Sequence, residues 1–424
     1  MGGVSMEWKE VRLGDVCSRV CSGGTPKSTN LSYYGGEIPW LNTKEIDFNR
    51  IYSTEKTITD SGLNNSSAKW IAPNTVTVAM YGATAGKSCI VKVPMTTNQA
   101  CCNLTINDEV ADYEFVYYSL KNDYTTLASL ANGGAQQNLN AQIIKDYVLQ
   151  MPSLKDQRRI ASILSSLDRK IELNNKINAD LEEMAQAIFK NWFVDFEPFK
   201  DGKFVDSELG MIPEGWKVGS YSEMIESLIS GDWGKENPQG NYTHEVACVR
   251  GCDFQDINNG VRGKTPQRYI LEKNYQAKHL KDKDILVEIS GGTATVSTGR
   301  TSLVTEELLK KYKHDIVCTN FCKVLRPLSQ FSSYVYYSWK YKYDNDIMFG
   351  YENGTSGIKN FAIKDFIEKE PVLIPKEQDI VEFQKIIDNL QKQKQIKGTE
   401  NTTLSLLRDT LLPRLMSGEL EVPE

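Results

Sequence analysis

The sequence has little of the material from which hydrolytic or metal-dependent active sites are built. Only three histidines occur in 424 residues, His244, His279 and His314, so a histidine-based triad or metal centre has few possible members. No two prolines are adjacent, which excludes the Asn/Asp-Pro-Pro-aromatic motif that adenine methylation requires. We therefore predict that the chain itself catalyses no reaction.

Long apolar runs and secretory features are missing as well. No stretch approaches about 18 consecutive apolar residues, so we expect no transmembrane helix. The first residues lack the apolar centre of a secretory signal. Nine cysteines, an odd number in a large chain, indicate reduced thiols and a cytoplasmic protein.

Six of the cysteines form pairs that share a spacing of four residues: Cys17/Cys21, Cys248/Cys252 and Cys318/Cys322. Zinc sites favour closer pairs, with partner pairs or histidines at set distances. We interpret the thiols as small buried apolar side chains and predict no metal site.

A basic excess is also absent. The net charge is −6, which counts against a simple electrostatic nucleic-acid binder. It leaves open a protein that carries its basic side chains on one face and its acidic side chains on another.

One stretch, MYGATAGKSCIV at residues 80–91, has some features of a phosphate-binding loop. A P-loop requires four residues between its first glycine and the Gly-Lys-Ser/Thr group, whereas three separate Gly82 from Gly86. It also requires a following helix, but residues 88–94 are β-branched, alternating and closed by proline, as in a strand. The stretch therefore predicts a strand, a polar glycine loop and a second strand, and an NTPase is disfavoured.

A long internal repeat is the most informative feature of the sequence, because self-similarity at a fixed spacing indicates repeated structural units. Five segments recur in the same order roughly 210–220 residues later: 7–16 as 215–224, 76–91 as 285–304, 96–101 as 318–322, 115–124 as 334–343, and 132–160 as 353–380. Gly86-Lys87 matches Gly299-Arg300 in this alignment, and Asn98 matches Asn320. The chain therefore consists of two copies of one domain, each followed by a helical segment.

Each copy combines short strands and Gly/Asn/Ser turns with a long amphipathic helix, which predicts an α+β fold. The helical segments span residues 154 to about 195 and about 376 to 417, and each has an apolar seam with a polar middle. A lone helix of this kind is marginal in water, so we expect the two to pack as an antiparallel coiled coil with pseudo-twofold symmetry. The polar seam residues would meet there and fix the register: Asn174, Asn178, Lys394, Lys397 and Asn401. Gly398 is expected to bend or interrupt the second helix.

Two similar domains on a rigid spacer suit a target with two separated half-sites, of which DNA is the common case. With two similar domains and two helical spacers, the chain resembles the DNA specificity subunits of type I restriction-modification systems. The resemblance covers nearly the whole chain. It is supported most strongly by the tandem plan and by the segments at 150–175 and 373–390. The segments at 187–196 and 410–420 and the loops MYGATAGK and NGGAQQNL support it as well.

The resemblance implies two target recognition domains separated by two helical spacers, and it implies that this chain is a non-catalytic subunit. We place the first domain at residues 1–153, the first spacer at 154–200, the second domain at 201–375, and the second spacer and tail at 376–424. Each domain would read one half of a bipartite site in double-stranded DNA. The helices would dock two methyltransferase subunits, and motor-nuclease subunits would join for cleavage. S-adenosylmethionine, ATP and Mg would then belong to the partner subunits.

The candidate DNA contacts are polar and basic loop residues, because Lys and Arg address guanine or phosphate while Asn and Gln address adenine. In the first domain they are Lys27, Asn42, Thr43, Lys44, Tyr81, Thr84, Lys87, Gln136 and Gln137. In the second domain they are Lys264, Arg268, Ser290, Thr293, Thr295, Arg300, Ser356 and Lys359. The alternative is that the glycines only make turns and the charges are solvated. Because Asn98 and Asn320 match, we interpret both as structural turn residues.

Four aromatic residues near the end of the first helical segment, Phe189, Trp192, Phe193 and Phe196, exceed what a lone helix end can bury. They are candidates for a methyltransferase interface, and the alternative is packing against the neighbouring domain. For the whole chain, the alternative to a DNA reader is a two-headed coiled-coil scaffold without DNA specificity.

Overall fold

The computed structural model of the chain describes residues 7–131, 138–293, 295–354 and 359–422. The chain is divided into two compact units. Unit 1 comprises residues 1–169 and 404–424, and unit 2 comprises residues 170–403. Each unit contains one strand-rich domain with parts of two long helices, so the fold is α+β, as predicted.

The domain of unit 1 is built from short strands in two main sheets. The strands are β1 (Lys9–Arg12), β2 (Cys17–Ser22), β3 (Tyr34–Leu41), β4 (Arg50–Ile51), β5 (Thr57–Ile58), β6 (Trp70–Ile71), β7 (Val76–Ala79), β8 (Ser88–Val91), β9 (Met95–Thr97), β10 (Cys101–Ile106) and β11 (Val148–Met151). One sheet has the order β2-β10-β7-β8-β4 and the other β5-β3-β9-β6. β1 pairs antiparallel with β11, so the first and last strands close the domain.

Most helices of unit 1 contribute residues to its larger buried core. They are α1 (Asp60–Asn64), α2 (Tyr113–Asn122), α3 (Tyr124–Ser129), α4 (Ala141–Asp146) and the beginning of α5 (Leu154–Phe193). Phe115 of α2, Leu164 of α5 and Leu415 lie in one buried cluster. Burial of these apolar faces, rather than helix propensity, is the main source of helix stability.

The domain of unit 2 repeats this plan. Its strands are β12 (Phe204–Val205), β13 (Ile212–Pro213), β14 (Lys217–Ser220), β15 (Ile225–Ser230), β16 (Tyr242–Val249), β17 (Gln267–Leu271), β18 (Ile285–Glu288), β19 (Ser290–Gly291), β20 (Thr301–Leu303), β21 (Ile316–Cys318), β22 (Cys322–Pro327), β23 (Glu352–Asn353), β24 (Lys359–Phe361) and β25 (Pro371–Ile374). The order β15-β22-β18-β20 matches β2-β10-β7-β8, and β17-β16-β21 matches β5-β3-β9. β14 pairs with β25, as β1 pairs with β11.

The helices of unit 2 are α6 (Phe254–Asn258), α7 (Glu272–Lys278), α8 (Glu306–Leu309), α9 (Ser332–Asp344), α10 (Ile363–Lys369) and most of α11 (Glu377–Met416). The two long helices therefore occupy the segments for which the sequence predicted them. α5 follows Pro152 and Ser153, and the Ser153 hydroxyl accepts a hydrogen bond from the Asp156 N–H at 3.3 Å, as an N-terminal cap does.

Within unit 2 the two long helices run antiparallel, and their polar seam residues meet. Asn174 donates from Nδ2 to Asn401 Oδ1 at 2.9 Å, and Asn178 donates to the Lys394 carbonyl at 3.3 Å. The Lys394 ammonium is 3% exposed and lies 2.5 Å from a carboxylate oxygen of Glu182. Burial raises the pKa of Glu182, but the charge and hydrogen bond of Lys394 outweigh this and hold it below its ordinary value. These contacts specify one register, because a slipped pairing would leave buried polar groups unpaired.

The expectation that Gly398 interrupts the second helix was wrong. α11 is continuous from Glu377 to Met416. A Cβ atom built on Gly398 would lie 2.0 Å from the Gly260 carbonyl oxygen. The glycine is therefore needed because the backbone of a neighbouring loop passes directly over the helix at this position.

None of the helices in the described ranges is long and apolar enough to cross a membrane. Among the same residues, no group of three or more His, Cys, Asp and Glu side chains is arranged to hold a metal ion. The nine cysteines are free thiols. Burial raises the pKa of Cys17, Cys248 and Cys322 to about 12, so these three are protonated near neutral pH.

Candidate nucleic-acid interface

The turn between β9 and β10 is held by the side chain of Asn98. Its Oδ1 accepts a hydrogen bond from the Ala100 N–H at 3.1 Å, and its own N–H donates to the Leu41 carbonyl at 3.0 Å. Its Nδ2 also donates to Asn42 Oδ1 at 3.2 Å. These bonds give Asn98 a structural role, as the sequence predicted for it.

Thr319 performs the same task in the second domain. Its Oγ1 accepts a hydrogen bond from the Phe321 N–H at 3.0 Å, and its N–H donates to the Val249 carbonyl at 2.9 Å. Asn98 is therefore equivalent to Thr319, and the sequence match of Asn98 with Asn320 was wrong by one residue. The interpretation of Asn320 as a structural turn residue depended on that match and was therefore wrong as well.

The corrected register makes Gln99 equivalent to Asn320. Both residues are exposed at the tip of their turn. The residues that follow, Ala100 and Phe321, differ sharply: Ala100 is 7% exposed, whereas Phe321 is 65% exposed. Two similar scaffolds thus present different side chains at the same place.

A second turn follows β2 in the first domain and β15 in the second, and it lies against the first turn. A Cβ atom on Gly23 would lie 2.1 Å from the Thr97 carbonyl oxygen, and one on Gly231 would lie 1.9 Å from that of Thr319. Only glycine permits this approach. Two residues later the domains carry Thr25 and Trp233, and the Thr25 hydroxyl donates a hydrogen bond to Gln99.

A third matching element is a short turn after β3 and after β16. In each domain a carboxylate three residues further on closes the turn, as in the carboxylate half of a capping box: Glu45 accepts a hydrogen bond from the Asn42 N–H at 3.0 Å, and Asp253 accepts one from the Arg250 N–H at 2.9 Å. Asn42 and Arg250 are therefore equivalent. The geometry brings the predicted residue Asn42 next to the turn of Asn98, while its basic counterpart was not predicted.

The glycine loops form the fourth element, and they confirm the predicted strand–loop–strand structure. β7 and β8 flank the loop in the first domain, and β18 and β20 flank it in the second. Lys87 and Arg300 occupy equivalent positions, since their carbonyls accept hydrogen bonds from the N–H groups of Ala79 and Glu288 at 2.9 Å. The sequence match of these two cations is confirmed.

Both cations are already paired with carboxylates. Lys87 Nζ lies 2.5 Å from Asp47 Oδ1. Arg300 makes a two-point contact with Glu288, Nε and Nη2 each donating at 2.7 Å, and this hydrogen bonding raises the pKa of Arg300. A phosphate or guanine would therefore compete with an internal carboxylate at either loop.

Among the described residues of the first domain, the predicted residues Thr43, Lys44, Tyr81 and Thr84 lie on or beside the glycine loop and the turn after β3, whereas Lys27 does not. The Thr84 hydroxyl donates to the Thr43 carbonyl at 2.9 Å, which joins the glycine loop to the turn after β3. Lys44 pairs with Glu55, and Tyr81 is 38% exposed. Lys27 is exposed on the turn after β2, and no ion pair of its side chain occurs among the described residues.

Most predicted residues of the second domain lie on or beside its glycine loop, namely Ser290, Thr293, Thr295, Arg300 and Lys359. Ser290 of β19 pairs with Asn360 of β24. The Lys359 ammonium forms an ion pair with Glu352 at 2.7 Å. Lys264 is exposed. Gln136, Gln137 and Ser356 lie outside the described residues.

Arg268 was predicted as an accessible DNA contact, but its side chain is largely buried. It is 8% exposed, its guanidinium lies 3.9 Å from the centre of the Trp233 ring, and it pairs with Glu236 at 3.1 Å. Arg268 therefore supports the Trp233 side chain through a cation–π contact.

An open cleft of about 500 Å³ joins these turns in the second domain. Its walls include Trp233, Arg250, Glu288, Asn320 and Phe321. Sequence reasoning did not select Trp233, Arg250, Asn320 or Phe321. Alignment of the two copies could have shown that Thr25 is replaced by Trp233. The equivalence of Gln99 and Asn320 could be recognised only from the hydrogen bonds of the structure.

The predicted partner interface on α5 requires a correction. Phe189 and Phe193 are 4% and 3% exposed, and Phe193 contacts Tyr334 and Phe383 with ring centroids 4.8 and 4.9 Å apart. Trp192 and Phe196 pack against the same core. These aromatics are covered by their own unit, which is the alternative that the sequence left open.

Comparison with known proteins agrees with this architecture. Residues 6–183 match the family model of the type I restriction modification DNA specificity domain. The chain is 29% identical to the type I restriction enzyme MjaIX specificity subunit of Methanocaldococcus jannaschii over 100% of this chain and 96% of that one. It is 22% identical to the HindI specificity subunit of Haemophilus influenzae, over 98% of this chain and 100% of that one.

A crystal structure of the type I restriction-modification S subunit from M. genitalium has the same fold. It superposes with a TM-score of 0.57 and covers 100% of this chain and 98% of its own, at 16% identity. The curated relatives span both copies and the family model covers the first, so the chain is similar over its whole length to type I restriction-modification DNA specificity subunits.

Proposed function

We propose that each domain of this chain reads one half of a bipartite site in double-stranded DNA. One observation carries the proposal: the two domains share sheet order and turn geometry, yet differ in the side chains at the turn tips. Thr25, Gln99 and Ala100 of the first domain correspond to Trp233, Asn320 and Phe321 of the second. A common scaffold with different tips suits the recognition of two different short sequences, since base edges specify while shared backbone contacts position.

We further propose that the long helices dock two methyltransferase subunits, and that motor-nuclease subunits join for cleavage. Apolar side chains left exposed on the helices support docking: Leu173 and Met184 on α5 are each 52% exposed, and Leu406 on α11 is 69% exposed. S-adenosylmethionine, ATP and Mg would be bound by the partner subunits, where methylation and cleavage take place.

The test is co-expression of the chain with its methyltransferase subunit, followed by mapping of methylated adenines in the host DNA. We expect a split sequence motif that is methylated only when both chains are present. A stable complex that adds no methylation would contradict the proposal and favour a scaffold without DNA specificity.

A further inference from the structure

We propose that Gln99 and Asn320 are the equivalent base-reading residues of the two domains, and that each amide recognises an adenine in its half-site. This inference rests on the proposed function. It was not accessible from the sequence alone, because the repeat alignment paired Asn320 with Asn98, whose amide is consumed by the turn itself.

The positions of both side chains are fixed by the scaffold. Each follows a residue whose side chain closes the turn, Asn98 at 3.1 Å and Thr319 at 3.0 Å from the N–H that it binds. On the other side, Gly23 and Gly231 bring a second turn into backbone contact. The tip residue therefore sits on a rigid support, which keeps the entropy cost of presenting it to a groove low.

Neither amide is needed by the fold. Gln99 is exposed and its Oε1 accepts a hydrogen bond from Thr25, which is itself an exposed side chain. Asn320 is exposed on the wall of the 500 Å³ cleft, and its side chain has no hydrogen bond to any residue of the described ranges. By contrast, the cations of the glycine loops, Lys87 and Arg300, are already paired with carboxylates.

The chemistry of the tip selects the base. A primary amide offers one donor and one acceptor side by side, which pairs with N7 and the N6 amino group of adenine in the major groove. Guanine presents two acceptors there, and it pairs better with Arg or Lys. Both domains carry an amide at this position although the neighbouring residues differ, so each half-site should contain one adenine read in this way.

The first test compares Gln99→Ala and Asn320→Ala in the complex with the methyltransferase. We expect Gln99→Ala to relax the methylated motif at one position of the first half only, and Asn320→Ala to relax one position of the second half only. Each variant controls for the other. Leu328→Ala is a further control, because Leu328 is 38% exposed at the far end of β22, about 20 Å away, and should leave the motif unchanged.

The second test identifies the base contact. Once the motif is known, each adenine of the second half is replaced by 7-deazaadenine, which lacks the N7 acceptor. For one position we expect binding of the wild-type complex to weaken by about 5-fold to 150-fold, because the amide N–H is left without an acceptor in the interface. The same replacement should weaken binding by Asn320→Ala little further.

The outcomes separate the two proposals. If the wild-type complex gives no chain-dependent motif, the proposed function fails. If it gives a split motif that both alanine variants retain in full, the function stands and the assignment of Gln99 and Asn320 is overturned. A loss of specificity at a position without adenine would also overturn the adenine assignment. Because both side chains are exposed, unchanged melting temperatures are expected for the variants.

Discussion

At the scale of single residues, the charges that looked available for DNA are mostly satisfied within the chain. Lys87 pairs with Asp47, Arg300 with Glu288, and Lys44 with Glu55. Pairing of this kind fits the net charge of −6 and limits sequence-independent attraction to phosphates. Under the proposed function, specificity would then depend more on the uncharged side chains at the turn tips.

The pair at Lys87 gives a direct prediction. Asp47→Asn removes an exposed carboxylate, 69% accessible, and frees the lysine for phosphate. We expect tighter binding of non-specific duplex at low salt, and a steeper dependence of log affinity on log salt by about 0.9. The measurement is a fluorescence-anisotropy titration over a salt series.

Asp108→Asn is the matched control, since Asp108 is exposed and the change in net charge is the same. If both variants steepen the slope equally, the effect is one of total charge and Lys87 does not contact DNA.

Residue-scale prediction from the sequence succeeded for Lys87 and Arg300, which matched correctly although their loops differ in length. It failed at the β9–β10 turn, because matching the identical residues Asn98 and Asn320 forced a gap of one residue into the alignment. The bonds made by Asn98 and Thr319 show that residues 97–101 align with residues 318–322 without a gap. The carboxylate partners were also inaccessible, because Asp47 is 40 residues from Lys87 in the chain.

At the scale of elements, the long helices combine an apolar seam with a few buried polar pairs. The pair of Lys394 and Glu182 is the clearest case, with side chains 3% and 20% exposed. We expect Lys394→Met to destabilise the chain by about 3–5 kcal/mol, because it leaves a partly buried carboxylate without its partner. Combining it with Glu182→Gln should recover much of the loss in urea unfolding.

The same pair predicts a pH dependence. Since the pKa of Glu182 in the folded chain lies below its ordinary value of 4.5, its contribution to stability is complete above that value and is lost as pH falls through the lower folded value. The stability difference between wild type and Glu182→Gln should therefore shrink between neutral and strongly acidic pH. A difference that is constant with pH would refute the assignment.

Gly398 allows a second test at this scale, because two rules predict opposite signs. Helix propensity alone makes Gly→Ala stabilising by about 1 kcal/mol. Here the new Cβ would meet the Gly260 carbonyl at 2.0 Å, so we expect Gly398→Ala to destabilise by roughly 1–3 kcal/mol. Thr403→Ala, at an exposed position of the same helix, should not destabilise; equal urea midpoints for Gly398→Ala and wild type would contradict the close contact.

The proposed docking of the methyltransferase can also be tested on the helices. Leu173 and Met184 are exposed and are eleven residues apart, which places them on one face of α5. We expect Leu173→Glu and Met184→Glu to weaken co-purification of the methyltransferase, since each puts a charge into an apolar interface. Ala179→Glu, an exposed position on another face, should not; equal loss in all three would argue against this face.

Element-scale prediction from the sequence was the more successful part. The seam period and the flanking prolines predicted both long helices, which begin at Leu154 and Glu377. The roles of Gly398 and of the aromatics near Phe193 were misjudged for one reason. Both depend on chain segments distant in sequence, the Gly260 loop and α9, whose approach no local pattern reveals.

At the scale of the whole molecule, the last strand of each domain pairs with a strand near the beginning of that domain. Lys217 at the start of β14 lies opposite Ile374 at the end of β25, and Lys9 of β1 lies opposite Met151 of β11. The ends of each domain are therefore adjacent in space. Such a domain is suited to replacement as a unit, because its two ends lie side by side.

Exchange of the second domain is the most direct test of two-part recognition. Residues 217–374 are replaced by the corresponding segment of a related specificity subunit that recognises a different DNA sequence. Methylated adenines are then mapped with the methyltransferase present. The account predicts a hybrid motif in which the first half is retained and the second half is that of the donor. Loss of both halves in a folded complex, or retention of both, would contradict the claim that each domain reads its own half-site.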